Sequence, residues 1–370
     1  MAPEKTVLSM LFLLAHALSS CAVFGNAADD RVPAIFVFGD SLFDVGNNNF
    51  LEGTMARVDR PFNGIDFPGG VATGRFSNGY NIIDCLATLM GFEMSPEAFL
   101  SLVNTSTLHD KMSKGVNFAS GGSGIQDSTG AAIGGAFSLK TQIENFATVR
   151  SNLSKQIGSE KTDDLLSKSL FVFSAGNCDI LELDIWNISL ANSTTNQQIV
   201  ADLTTQFKLH LQKLHQLGAR KFAILGGAAV GCTPRERSYN GGKCYEDMNK
   251  LVYSFHGATA AMLDQLKREL DGMSYSLGNM YEMMIRLLNN QPKYGFKDVV
   301  SGCCGSGPLN GGFLCGPNNT NHCSNRDEYL FWDPYHPTQK AANLIAHASF
   351  NGSIDIVEPI NFQQLANEGT

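Results

Sequence analysis

Three continuous apolar runs punctuate the chain: Pro33 to Phe38, Ser169 to Ala175 and Lys221 to Leu225. None alternates like a half-buried strand, and the last two end at glycine turns, Gly176-Asn177 and Gly226-Gly227. Runs this short, rich in Val, Ile and Phe, predict strands buried on both faces. Val116 to Ile125 reads as a further short strand entering a glycine cluster, and Ser274 to Met280 as another. Between these runs, apolar residues recur at helical spacing. Asn78 to Met90 carries Ile82, Ile83, Leu86, Leu89 and Met90 on one face, and Gly91 is placed to stop the helix. Ser138 to Leu153, Asn196 to Leu217, Asp247 to Leu270 and Thr338 to Phe350 have the same period. Asp59 to Asn78, rich in Gly, Pro and Asn, and Tyr294 to Asp333, rich in Gly, Cys and Asn, have no period and are predicted to be loops. Strands alternating with helices imply βαβ units, hence a three-layer α/β/α fold around a mostly parallel sheet. No internal repeat and no Pro/Ser/Gly linker divides the chain, so one domain is expected.

The first residues break this pattern. Lys5 precedes an apolar run, Val7 to Leu18, that is too short to span a membrane, and Gly25 and Ala27 suit the cleavage positions of a secretory signal. Residues 1–27 are therefore predicted to be a signal peptide and 28–370 a single mature domain, secreted and without stable membrane insertion. Removing Cys21 with the signal leaves eight cysteines, an even number suited to disulfides in an oxidising compartment. Six sequons begin at Asn104, Asn152, Asn187, Asn192, Asn318 and Asn351, none followed by Pro. Of 370 residues, 43% are hydrophobic, enough for a large core. The net charge of −8 argues against nucleic acid or an anionic membrane surface as a partner.

The chemistry starts at Phe36 to Asn49, FVFGDSLFDVGNNN, where a buried strand delivers Ser41 to its carboxyl end. In open α/β sheets that edge is where sites form. A serine hydroxyl needs a base, and FWDPYHPT (331–338) offers one. Asp333 and His336 are three residues apart in a turn stiffened by Pro334 and Pro337. That spacing lets the carboxylate hold Nδ1–H and leaves Nε2 facing the serine. His210 and His215 lie on a helix where solvent or packing accounts for them. No serine has Gly at both −2 and +2, so the common nucleophile elbow is absent. Asp40 and Asp44, which could suggest a metal, are read as turn residues, as are Asn47 to Asn49. Cys303, Cys304, Cys315, His322 and Cys323 permit a zinc reading, but in a Gly/Asn/Pro-rich segment they read better as a stapled loop. No metal and no cofactor is expected.

With these residues in view, the sequence resembles the plant-type secreted GDSL esterases/lipases of the SGNH-hydrolase family. The resemblance spans the mature chain. It rests on FGDSLFDVGNNN (38–49), TGRFSNG (73–79), GVNFASGGSGI (115–125), GCTP (231–234), CCGSG (303–307), Cys315-Gly316, FWDPYHPT (331–338) and EPINFQQLA (358–366), in that order. It implies a flavodoxin-like SGNH fold, with Ser41 as nucleophile and His336 and Asp333 as base and acid. It also implies an oxyanion hole formed by the Ser41 amide, Gly122 and an Asn side chain. At that Asn position this chain has Cys178, within Gly176-Asn177-Cys178-Asp179. Asn177 is the alternative donor if the loop is re-registered, although on an extended segment a shift of one residue faces the other way. Cys232 and Cys244 are expected to pair, as are the four late cysteines among themselves, leaving Cys85 and Cys178 to form a further disulfide beside the site.

The expected function is secreted hydrolysis of carboxylic esters through an acyl-enzyme, on a small-molecule or polymer-attached substrate, a lipid or an acylated plant metabolite or polysaccharide. Two rivals are transacylation at the same serine and a catalytically weakened binding or defence protein. The apoplast or cell wall is the expected location.

Overall fold

A computed structural model describes residues 32–103, 105, 107–185, 193–317 and 321–369. The signal-peptide expectation and the sequons at Asn104, Asn187, Asn192 and Asn318 lie outside the described residues. Asn351 is exposed and Asn152 partly so.

The apolar runs become a six-stranded sheet. Strands β1 (Ile35–Gly39), β2 (Gly115–Asn117), β3 (Leu170–Ser174), β4 (Lys221–Leu225) and β5 (Ser274–Gly278) are parallel, in the order β2-β1-β3-β4-β5. Two further strands, β6 (Asp298–Gly302) and β7 (Tyr329–Phe331), pair with each other, and β8 (Val357–Glu358) lies antiparallel beside β5. β1, β3 and β4 are buried along their whole length, which is why they read as unbroken hydrophobic runs.

The main helices are α1 (Ile82–Leu89), α2 (Leu139–Ile157), α3 (Ser159–Lys168), α4 (Asn177–Ile185), α5 (Ser193–Gln216), α6 (Glu246–Glu269), α7 (Met280–Asn289) and α8 (Gln339–Asn351). α2, α5 and α6 pack in series, while α1, α7 and α8 form a second group, giving the three layers expected from the sequence. Aromatic rings fill the centre. Phe38 stacks on Phe118 and Phe173 with centroids 5.2 and 5.1 Å apart, and Phe146 meets Phe36 and Phe171 edge-on. No helix among the described residues is long and apolar enough to cross a membrane.

Two expectations are corrected. Tyr294 to Asp333 is not all loop, because it contains β6 and β7. These strands are short and mixed in polarity, and their stability comes from partners distant in sequence. The Gly176 to Asp179 segment is not extended either, since α4 begins at Asn177.

The strand order reverses between β1 and β3, and in doubly wound sheets a crevice opens at that point beyond the carboxyl ends. Ser41 follows β1 there, and Asn177 and Cys178 follow β3.

Candidate active site

Ser41 lies two residues beyond β1, on a turn that requires Gly39. That glycine has φ +132°, and a Cβ on it would lie 2.2 Å from the Ser174 carbonyl oxygen of β3. The buried amide of Gln142, in α2, clamps the Gly39 peptide from both sides. Its Oε1 accepts from Gly39 N–H at 2.8 Å, and its Nε2 donates to the Gly39 carbonyl at 2.9 Å.

His336 Nε2 is 2.8 Å from Ser41 Oγ, across 295 residues of sequence. On its other side, Nδ1 sits 2.8 and 2.9 Å from the two carboxylate oxygens of Asp333. A carboxylate there favours the tautomer with its proton on Nδ1, leaving Nε2 to accept from the serine hydroxyl. Asp333 is fully buried, and its Oδ1 also accepts the backbone N–H groups of Tyr335 and His336, at 2.9 Å each. The turn is pinned further: Trp332 N–H donates to the His336 carbonyl at 2.7 Å, and Cys304 N–H to the Trp332 carbonyl at 2.7 Å. Phe76, from the TGRFSNG segment, packs its ring against His336 with centroids 4.8 Å apart.

Gly122 faces the same point. It has φ +84°, a conformation that favours glycine, and Ile133 covers the position a Cβ would take. Its backbone lies close enough to the Cys178 sulfur to pull that thiol's pKa down. Cys178 is a free, partly accessible thiol. Burial, together with the carboxylates of Asp40, Asp179 and Glu182, pushes its pKa well above the ordinary value, so it stays S–H at neutral pH. The Cys85–Cys178 expectation is therefore corrected: Cys178 forms no disulfide. The other pairings form, as Cys232–Cys244, Cys303–Cys323 and Cys304–Cys315. Those last two bridges engage all four thiols that a zinc reading would need as ligands.

Asn177 lines a small pocket beside Ser41, but both ends of its amide are engaged. Its Nδ2 donates to Asp40 Oδ2 at 2.9 Å, and its Oδ1 accepts the Ala228 amide at 2.8 Å. As the first residue of α4, it braces the residue before Ser41 against the segment after β4. Asp40 also accepts from Ser174 Oγ and Leu42 N–H, at 2.9 and 3.0 Å. Burial raises its pKa, with those hydrogen bonds opposing the shift.

The polar residues after Ser41 do more than turn the chain. Asp44 Oδ1 accepts the N–H groups of Gly46 and Asn47 at 2.7 Å each, the Asx geometry expected. Its Oδ2 reaches 77 residues along the chain to the Gly121 amide, at 2.9 Å. Asn47 Nδ2 donates to the carbonyls of Asn117 and Ala119 at 2.9 and 2.8 Å, and Asn48 Nδ2 to those of Ala56 and Gly121 at 2.8 Å each. Asp179 holds the far side, accepting Ile125 N–H at 2.9 Å and Thr129 Oγ1–H at 2.7 Å. Asp44 and Asp179 thus pin the chain on either side of Gly122. Desolvation raises Asp44 to a pKa of about 6 against the pull of its N–H donors. The sequence clue was composition: three consecutive asparagines beside a fully buried aspartate all require partners.

Ser41, Gly122, Cys178 and His336 line a cavity of about 800 Å³, walled by Phe76, Ile133 and Leu314. His210, by contrast, contacts the Ile125 carbonyl at 3.1 Å, and His215 that of Asp271 at 2.8 Å. Neither joins the cavity.

A doubly wound α/β sheet with a serine, an imidazole and a buried carboxylate aligned at its switch point defines an α/β enzyme of the serine-hydrolase class. Residues 35–349 match the family model for GDSL-like lipase/acylhydrolase. The chain belongs to that family of carboxylic ester hydrolases. It is 33% identical to the GDSL esterase/lipase At2g23540 of Arabidopsis thaliana, over 98% of this chain and 96% of the relative. It is 36% identical to At5g55050 (91% and 90%) and 37% identical to At1g71250 (90% and 89%), GDSL esterases/lipases of the same plant.

Proposed function

We propose that the protein hydrolyses carboxylic esters through an acyl-enzyme on Ser41. The serine oxygen attacks the ester carbonyl while His336 Nε2 takes its proton. The tetrahedral intermediate then collapses, and the alcohol leaves with the proton that Nε2 returns. Water entering the cavity repeats the sequence, giving its proton to Nε2 and releasing the acid and the free serine. Asp333 holds Nδ1–H and stabilises the imidazolium formed in each half. The oxyanion is held by the amides of Ser41 and Gly122, with Cys178 S–H, rather than Asn177, as the third donor.

The observation that carries this reading is the 2.8 Å contact between His336 Nε2 and Ser41 Oγ, backed by the two short contacts to Asp333. Ser41→Ala tests it: the variant should lose ester hydrolysis while melting like the wild type, and a retained rate overturns the proposal. We further propose that residues 1–27 direct secretion and are removed, leaving 28–370 as one catalytic domain outside the cell. The Cys232–Cys244, Cys303–Cys323 and Cys304–Cys315 disulfides support an oxidising route. N-terminal sequencing of secreted protein that begins before residue 28 overturns that part.

A further inference from the structure

The cavity described above has a neighbour. A second pocket of about 40 Å³ adjoins it, and Ser41, Cys178, Leu181, Tyr335 and His336 line both. The two differ in size and position. The small pocket lies toward the segments after β4 and β5, bounded by Leu42, Ala228, Val230, Met280, Met284 and Pro337, with the hydrogen-bonded Asp40 and Asn177 and Thr233 also in its lining. Its volume corresponds to roughly three water-sized spheres. Met280 and Met284 are almost fully buried. The large cavity has charge along its lining, from Arg57, Arg60, Glu182 and Arg235, and apolar side chains at its rim. Met55 and Phe313 line it while remaining 63% and 76% exposed.

The order of an acyl-enzyme reaction distinguishes the two. The alcohol leaves first, while the acyl group stays covalently bound to serine, and water must then reach the ester. A leaving group confined to the small pocket could not make way for water, whereas a short acyl chain held there obstructs nothing. We propose that the small pocket binds the acyl group and the large cavity binds the alcohol. The substrate class is then short-chain esters, acetyl to butyryl, of bulky and largely apolar alcohols. Met280, Met284 and Val230 set the acyl limit, and Phe313 and Met55 contact the alcohol. This inference rests on the hydrolase reading above.

The test is kcat/KM of the full secreted protein on p-nitrophenyl acetate, butyrate and octanoate, and on the acetates of ethanol and 2-naphthol, with fluorophosphonate labelling in parallel. The wild type should lose roughly tenfold or more between butyrate and octanoate and should prefer the naphthyl acetate. Met284→Ala should raise octanoate relative to butyrate, and Met284→Phe should lower butyrate relative to acetate. Phe313→Ala should raise KM for naphthyl acetate and keep the acyl-length order. The wild-type series decides the matter even if a Met284 variant fails to fold. Octanoate hydrolysed as well as butyrate overturns the assignment, as does an acyl-length order that changes in Phe313→Ala. If Ser41 is labelled but the length profile is wrong, only the pocket assignment falls. If Ser41 is not labelled and no ester is hydrolysed, the hydrolase reading falls with it.

Discussion

Cys178 occupies the place where the family pattern has an asparagine, and its surroundings allow its contribution to be estimated. The Gly122 backbone lies within hydrogen-bonding reach of its sulfur, so the thiol sits beside the proposed oxyanion position. Burial and the nearby carboxylates of Asp40, Asp179 and Glu182 keep it protonated, so it can donate S–H. Removing a full oxyanion donor typically costs on the order of 10²–10³ in turnover. A thiol is a weaker donor than an amide, so Cys178→Ala should lower kcat by about tenfold. Cys178→Asn should raise kcat by a similar factor of about ten, because it supplies a stronger donor at the same position. KM should change little in either variant, since the interaction forms only as charge develops on the oxygen. Steady-state kinetics on a short-chain p-nitrophenyl ester, with melting curves as a folding control, measures both. If the alanine variant turns over like the wild type and asparagine brings no gain, with all three melting alike, Cys178 is not a donor.

Asp333→Asn should leave the fold intact and lower kcat by about 10⁴, because an amide stabilises the wrong imidazole tautomer; an unchanged kcat contradicts the role given to the carboxylate. Asp44→Asn should lower kcat by placing an NH₂ donor against the Gly121 amide, read as a kcat loss with little change in KM. The same variant has a pH signature. Because Asp44 has a folded-state pKa of about 6, above its ordinary 3.8, its effect on stability is most favourable below pH 3.8 and is lost as pH rises through 6. By linkage this amounts to about 3 kcal/mol. Urea unfolding at pH 4 and 7 should therefore show the variant gaining stability on the wild type as pH rises; parallel curves contradict it.

The parts of the fold legible in the sequence were those whose environment is uniform. β1, β3 and β4 are buried on both faces, so burial alone writes their pattern, and the long helices carry one apolar stripe. β6 and β7 escaped notice because Asp298, Ser301 and Gly302 break any apolar run. Their register depends on pairing across some thirty residues within a segment stapled by disulfides. The start of α4 was obscured by Gly176-Asn177, which reads as a turn. Ser41, Asp333 and His336 were legible because each lies in a compact local motif. The tasks of Asp44, Asn47 and Asn48 were not, because each has a partner seventy or more residues away that only the fold brings close. Cys178 shows both limits: its position could be read, but its free state and its contact with Gly122 could not.

The central claim is that Ser41 is a nucleophile activated by His336. The most direct measurement is mass spectrometry of the intact protein and its peptides after reaction with a fluorophosphonate. A single adduct on Ser41 in the wild type, absent in Ser41→Ala and strongly slowed in His336→Ala, is the predicted result. A wild-type protein that stays unmodified, or carries the adduct on another serine, contradicts the account.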